Sequence, residues 1–311
     1  MQPISFIPLF MDRVWGGRRL ESLYGKPLPP EVPIGESWEI VDREEAQSVV
    51  ESGLFEGKTL NQLWTDHHQE IFGSPEPTCS RFPLLFKLLD AEEKLSVQVH
   101  PPAAIAPELN GEPKTEMWYI ASCRPDSDLY VGLNKGVTKE DFAQALADGS
   151  VEEKVQRLPV KPGDSIFIPS GRIHAIGAGN VIVEVQQNSD TTYRVFDWNR
   201  VGLDGKPRAL HIEESMKSID FADIEPSLAA PGGEVIAECE YFRVEKWDLK
   251  NERAAAEKGR FALFTCLSGR VACGGREFKA GEFFLVPAAM EEALLSPLEE
   301  GTSVLRSTIP L

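Results

Sequence analysis

Short apolar runs bounded by glycine and proline dominate this chain: SVQVH, EMWYIA, DLYVGL, DSIFIP, VIVEVQ, FRVEKWDL, FALFTCLSG and EFFLVP. Their β-branched and aromatic content predicts strands. Helical spacing is rarer. In TLNQLWTDHHQEIFG, Leu60, Leu63, Trp64 and Ile71 recur at near-helical intervals up to Gly73. TKEDFAQALADG opens on Thr138, a good N-cap, and closes on Gly149, and ALHIEESMKSIDF is a third candidate. Strands outnumber helices, so the pattern predicts a mainly β protein, a sandwich or barrel with helical insertions. A length of 311 residues suits about two domains. The best boundary is IEPSLAAPGGEV (224–235), which divides the chain into residues 1–228 and 234–311.

One strand has an unusual second face. In LSVQVHPPA, alternation puts Leu95, Val97 and Val99 on one side and Ser96, Gln98 and His100 on the other. In KTEMWYI, Lys114, Glu116 and Trp118 likewise share a face. A weak internal repeat adds a further histidine. KPGDSIFIPSG (161–171) and KAGEFFLVPAA (279–289) align without a gap, each reading as a tight turn that feeds a buried strand ended by proline. The first copy runs on from Pro169 and Gly171 to His174, whereas Glu292 stands at that place in the second. Residues 234–311 contain no histidine. Imidazole with amide or carboxylate oxygen suits a zinc-type ion, so Gln98, His100, Glu116 and His174 are the candidate ligands. Of the other histidines, His67 and His68 read as solvated and His211 as structural.

Charge narrows the partners. A net charge of −17 and a pI near 4.8 argue against nucleic acid and anionic membrane surfaces. An anionic substrate would then need a local cluster of Lys and Arg. No run of 18 apolar residues exists, and the N-terminus lacks a basic, signal-like start. Five cysteines without a CxxC pair predict reduced thiols in a cytoplasmic protein. The sequence carries no signal for an oligomeric state.

The spacing of Gly163, Pro169, Gly171 and His174 resembles the second motif of the cupin superfamily, small jelly-roll barrels that hold a metal, although Ala178 stands where that motif has asparagine. More of the chain resembles one cupin family. PLLFKLLDAEEKLSVQVHPP, GEPKTEMWYI, IPSGRIHAIGAGNVIVEVQQNSDTTYRVFDWNR and LHIEESMKSID, with RVWGGRRL and PIGESWEI upstream, are similar to type I mannose-6-phosphate isomerase in its short bacterial form. Two departures fall in loops: GEPKTE where many members read GELGKTE, and HPPAAIAPE without the usual aspartate after proline.

The resemblance implies two cupin-like jelly-roll barrels in tandem, the first metal-binding with helical insertions and the second without metal. It implies one zinc per chain on Gln98, His100, Glu116 and His174, and interconversion of mannose 6-phosphate and fructose 6-phosphate through an enediol. Arg194 matches the catalytic arginine, and Lys87, Ser96 and Lys114 match positions around the sugar phosphate. An arginine, with a pKa above about 12, is a poor base, so charge stabilisation or phosphate binding suits Arg194. Lys114, its pKa lowered by a nearby ion, and a metal-bound water are the competing bases. Trp15 and Trp38 either wall the sugar pocket or pack in the core. A binding protein without turnover, or an isomerase of another sugar phosphate, are the alternative readings.

Overall fold

The computed structural model describes residues 1–74, 79–230, 232–290 and 292–310. Each apolar run named above contains a strand. Lys139–Asp148 is a helix with a reciprocal capping box between Thr138 and Asp141, and Gly149 ends it at φ 81°. The third candidate forms the helix Ile212–Ser218. The expected long helix instead splits into Leu60–Asp66 and His68–Ile71, because His67 leaves helical geometry at φ −127°, ψ 22°. That break also corrects a histidine. His68 is buried rather than solvated, its Nδ1 lying 3.2 Å from the Trp64 carbonyl oxygen and its ring edge-on to Trp64.

Four sheets are stacked through the molecule. A five-stranded sheet (Val155–Pro159, Asp128–Leu133, His174–Ile176, Val97–Val99, Tyr193–Phe196) faces a six-stranded one (Ser165–Ile168, Glu116–Cys123, Asn180–Gln187, Leu84–Ala91, Ile34–Ile40, Leu9–Gly17). Between them lie Leu89, Trp118, Ile120, Leu129, Val131, Ile166 and Ile182. The outer face of the five-stranded sheet, with Val97, Val99 and Tyr193, packs on Phe142 and Ala145 of a helix. The outer face of the six-stranded sheet, with Phe86, Leu88, Met117 and Val183, packs on Leu263, Phe283, Leu285 and Leu305. Those residues belong to a second five-stranded sheet (Val235–Glu238, Arg243–Asp248, Ser303–Thr308, Ala262–Ser268, Phe283–Val286), which covers a four-stranded one across its own core.

The repeat seen in the sequence is a repeat of topology. Ser165–Ile168, Glu116–Cys123, Asn180–Gln187 and Leu84–Ala91 lie in the same order as Phe283–Val286, Ala262–Ser268, Ser303–Thr308 and Arg243–Asp248. Both turns close alike: Asp164 and Glu282 each accept a hydrogen bond, at 2.9 Å, from the backbone N–H three residues earlier. Glycines at φ 95° and 83° make those turns possible. Matching register then makes Ala262 the counterpart of Glu116, and Glu245 and Arg306 the counterparts of Lys87 and Glu184. The connecting segment 224–235, of which Pro231 lies outside the described residues, is tied down by Glu225 N–H to Leu133 O and Ala229 N–H to Ser165 O.

The N-terminus joins the two halves. Ile4 and Leu285 exchange two backbone hydrogen bonds of 2.8 Å, and both side chains are buried in the shared core. Leu285→Ala should cost about 2–5 kcal/mol, because a fully packed site leaves a cavity where the halves meet. Urea melts of the variant and parent would read this, and a change under about 0.5 kcal/mol would contradict the packing role.

Candidate metal centre

Strand register brings the ligand candidates together. His174 pairs with Gln98, and Gln98 pairs with Arg194 on its other side, so the three form a row across the five-stranded sheet. Opposite runs a second row, in which Trp38 pairs with Lys87, Lys87 with Glu184 and Glu184 with Trp118. Glu116 opens the same strand as Trp118, two residues earlier and therefore on the same face. His100 follows the Val97–Val99 strand, where its carbonyl accepts from Gly171 N–H. One expectation is corrected here. Leu95 lies before the strand begins, and it joins the inner core rather than the outward face of Val97 and Val99.

Glu116 sits between the imidazoles. Its Oε2 lies 3.6 Å from His100 Nε2 and its Oε1 lies 3.5 Å from His174 Nε2. The Gln98 amide is 3.3 Å from His174 Nε2. Each ring is oriented through its other nitrogen: His100 Nδ1 is 2.8 Å from Thr191 O and His174 Nδ1 is 2.9 Å from Arg172 O. A carbonyl partner requires the proton on Nδ1, which turns the Nε2 lone pair inward, as metal ligation needs. Burial depresses both imidazoles, His174 to about 3, so each is neutral at physiological pH. Desolvation opposes ionisation of Glu116, yet Lys114 and His100 hold its carboxyl well below the usual range.

Glu116 Oε1 and Oε2 and His100 Nε2 are buried without a hydrogen-bond partner. Orphaned, charged and ligand-type atoms in one buried place are what a cation would satisfy. Among the described residues, His100, Glu116 and His174 form the group of three whose ligand atoms all lie within 4.8 Å of one another. The donor set of two imidazoles, a carboxylate and a neighbouring amide fits a divalent transition ion.

The cluster adjoins a cavity of about 370 Å³ lined by Gln98, Lys87, Ser96, Lys114 and Arg194 among others. All four expected sugar-phosphate residues therefore meet in one place. Trp15 and Trp38 divide: Trp15 lines the cavity, whereas Trp38 backs it, its indole N–H donating to Glu36 at 2.6 Å beneath the Lys87 ammonium. The chain is similar along nearly its whole length to known proteins. Residues 5–110 match the catalytic domain of type I phosphomannose isomerase, and residues 234–299 match the cupin domain of mannose-6-phosphate isomerase. The chain is 38% identical to mannose-6-phosphate isomerase ManA of Bacillus subtilis, covering 96% of this chain and 97% of that one. It is 37% identical to mannose-6-phosphate isomerase of Streptococcus mutans over 90% of this chain and 92% of that one. This chain belongs to the type I mannose-6-phosphate isomerase family.

The crystal structure of mannose 6-phosphate isomerase from Bacillus subtilis superposes with a TM-score of 0.89 at 32% identity, covering 99% of this chain and 100% of that one. The apo form from Salmonella typhimurium, at 17% identity and a TM-score of 0.75 over the full length of both chains, shares the fold. Membership makes the chain an aldose–ketose isomerase with a cupin fold.

Sequence reasoning missed Glu184, Glu36, Asp190 and Arg208, all of which line this cavity. Glu184 was visible as the lone acid in VIVEVQ. Its Oε2 accepts from the Trp118 indole N–H at 2.9 Å, and its Oε1 faces Lys87 Nζ at 3.4 Å. Burial, then the nearby Glu116 charge, raise its pKa against the pull of Lys87. Glu36 is the opposite case. Burial works against its charge, but Lys87 and Arg13, with the Trp38 hydrogen bond, bring it down to about 2. Against desolvation by burial, the neighbouring Glu116, Glu184, Asp190 and Glu36 hold the Lys114 ammonium above its ordinary range. His211 is structural as expected, its ring Nδ1 and its backbone N–H both bonded to the Arg194 backbone.

Proposed function

We propose that this protein is a zinc-dependent isomerase of mannose 6-phosphate and fructose 6-phosphate. The observation that carries the reading is the orphaned His100–Glu116–His174 cluster at the edge of a cavity that also presents Lys87, Lys114 and Arg194. Gln98, His100, Glu116 and His174 would hold the zinc, which would supply Lewis-acid polarisation of the sugar's carbonyl oxygen. The chain's own residues do the rest. Glu184, a buried carboxylate with a raised pKa, takes the proton from one carbon and returns it to the other, passing through an enediol. Lys114 donates to the oxygen that gains negative charge. Arg194, next to Gln98 in the sheet, adds a fixed positive charge, and Lys87 orients Glu184 from 3.4 Å. Ser96 offers a hydroxyl to the sugar.

Residues 1–228 would carry this chemistry and residues 234–311 would support it without a metal. Two observations favour that division: Ala262 stands at the counterpart of Glu116, and Glu292 is exposed at φ 59° where His174 is buried. Glu292→Ala is expected to leave metal content and kinetics unchanged, and loss of a metal equivalent would reverse the assignment. The five free thiols and the acidic surface fit a reducing cytoplasm.

A coupled assay for fructose 6-phosphate, run with mannose 6-phosphate on the zinc-loaded protein, tests the function. Turnover supports it. Tight binding with no isomerisation would leave the binding-protein reading, and faster turnover of another sugar phosphate in a substrate panel would replace the substrate.

A further inference from the structure

Four of the five cations lining the cavity are already matched by carboxylates. Arg13 pairs with Glu36, Lys87 with Glu36 and Glu184, Lys114 with Glu116, and Arg208 with Asp197. Arg194 differs. Its NH1 donates to Ala209 O, while its Nε is buried without a partner. Arg208 and Arg200 both pair with Asp197, Arg200 reaching Glu93 as well at 3.8 Å, and burial, then Arg208 and Arg200, work against the Arg194 charge while Asp197 supports it. Of these arginines, Arg194 and Arg208 line the cavity, and Asp197 is the carboxylate paired with Arg208.

The backbone holds this arrangement firmly. Immediately after Asp197, Trp198 and Asn199 both sit at φ 55°, a left-handed conformation that non-glycine residues rarely adopt. The Trp198 indole is fixed to Leu95 O at 2.6 Å and Arg200 NH1 to Lys94 O at 2.5 Å. A small hairpin, closed by Gly202 N–H to Lys206 O at 2.7 Å, then returns the chain to Arg208. Asp197 takes Arg208 Nε at 2.7 Å and NH2 at 2.5 Å, which fixes the plane of the guanidinium. That fork occupies Nε and NH2, and Arg208 lines the cavity.

We propose that Arg208, held by Asp197 and adjacent to Arg194, is the anchor of the substrate's phosphate dianion. The inference rests on the sugar-phosphate reading above and deepens it by separating two ends of the cavity. Arg208 takes the phosphate, and Arg194, between Arg208 and Gln98, lies toward the reacting carbons. A dianion relieves the repulsion between the guanidinium groups and meets a preset planar donor, the arrangement that suits arginine better than lysine.

The test compares zinc-loaded wild type, Arg208→Gln, Arg208→Lys and, as a control for charge loss, Lys217→Gln, an exposed lysine outside the cavity lining. Steady-state kinetics with mannose 6-phosphate and calorimetric titration with inorganic phosphate are the readouts. Arg208→Gln should raise KM and weaken phosphate roughly 10- to 100-fold, the loss of one charge-assisted pair, with kcat within about threefold. Arg208→Lys should recover only part of that loss, and Lys217→Gln should match wild type. Should the glutamine variant misfold by its melting curve, the charge-retaining lysine variant decides. Unchanged KM and phosphate affinity, or a fall in kcat alone, overturns the proposal. If wild type isomerises no sugar phosphate, the functional reading fails, while phosphate affinity across the variants still decides the role of Arg208.

Discussion

His174→Ala should remove both the metal and the turnover. The imidazole is fully buried, is kept neutral by desolvation and presents Nε2 beside Glu116 and Gln98. Alanine leaves Glu116 facing one imidazole, with nothing to take the vacated position. Removing a single preorganised donor at a developing oxyanion costs ~10²–10³ in rate, so loss of the whole centre should exceed 10³-fold or so. Metal analysis of the purified variant should fall well below one equivalent. Chelation of the parent should reproduce the loss, and zinc should restore the parent but not the variant. Stoichiometric metal with a normal rate in the variant would show that His174 is a structural residue.

Glu184→Gln should lower kcat by ~10²–10⁴ while the metal stays bound. The substitution keeps the shape and an oxygen for the Trp118 indole N–H, but it cannot accept a proton. The pH profile separates this from a merely structural part. A base must be ionised to act, and the Glu184 carboxyl is raised above its ordinary value of 4.5 by burial and Glu116. The wild-type rate should therefore fall as pH drops through a limb above 4.5, and that limb should vanish from the residual activity of the variant. If Glu184 only balances Lys87, the variant would lose stability or substrate affinity and keep the limb.

The two groups of residues behind these predictions were not equally legible. Gln98 and His100 stood out because a strand repeats every two residues, so polar side chains alternating with valines announce a second, non-packing face. His174 stood out because its turn needs Gly163 and Gly171 at positive φ, which leaves a readable spacing. Glu184 and Glu36 carried no comparable mark. A carboxylate in a strand reads the same whether its face meets water or the inner cavity.

What the sequence by itself determined is local: strand positions, the capped helix Lys139–Asp148, the repeated turn and the residue types able to hold a metal. Periodicity, capping and turn chemistry act over a few residues, so they survive in the linear order. Tertiary structure decided which faces meet. Register across neighbouring strands set His174 beside Gln98 and Gln98 beside Arg194, although these residues are far apart in the chain. It also buried His68, turned Leu95 inward and brought Arg208 back through a hairpin to Asp197. The physical reason is that burial and pairing between distant segments set the charge state and orientation of these side chains, and neither is a property of the segment itself.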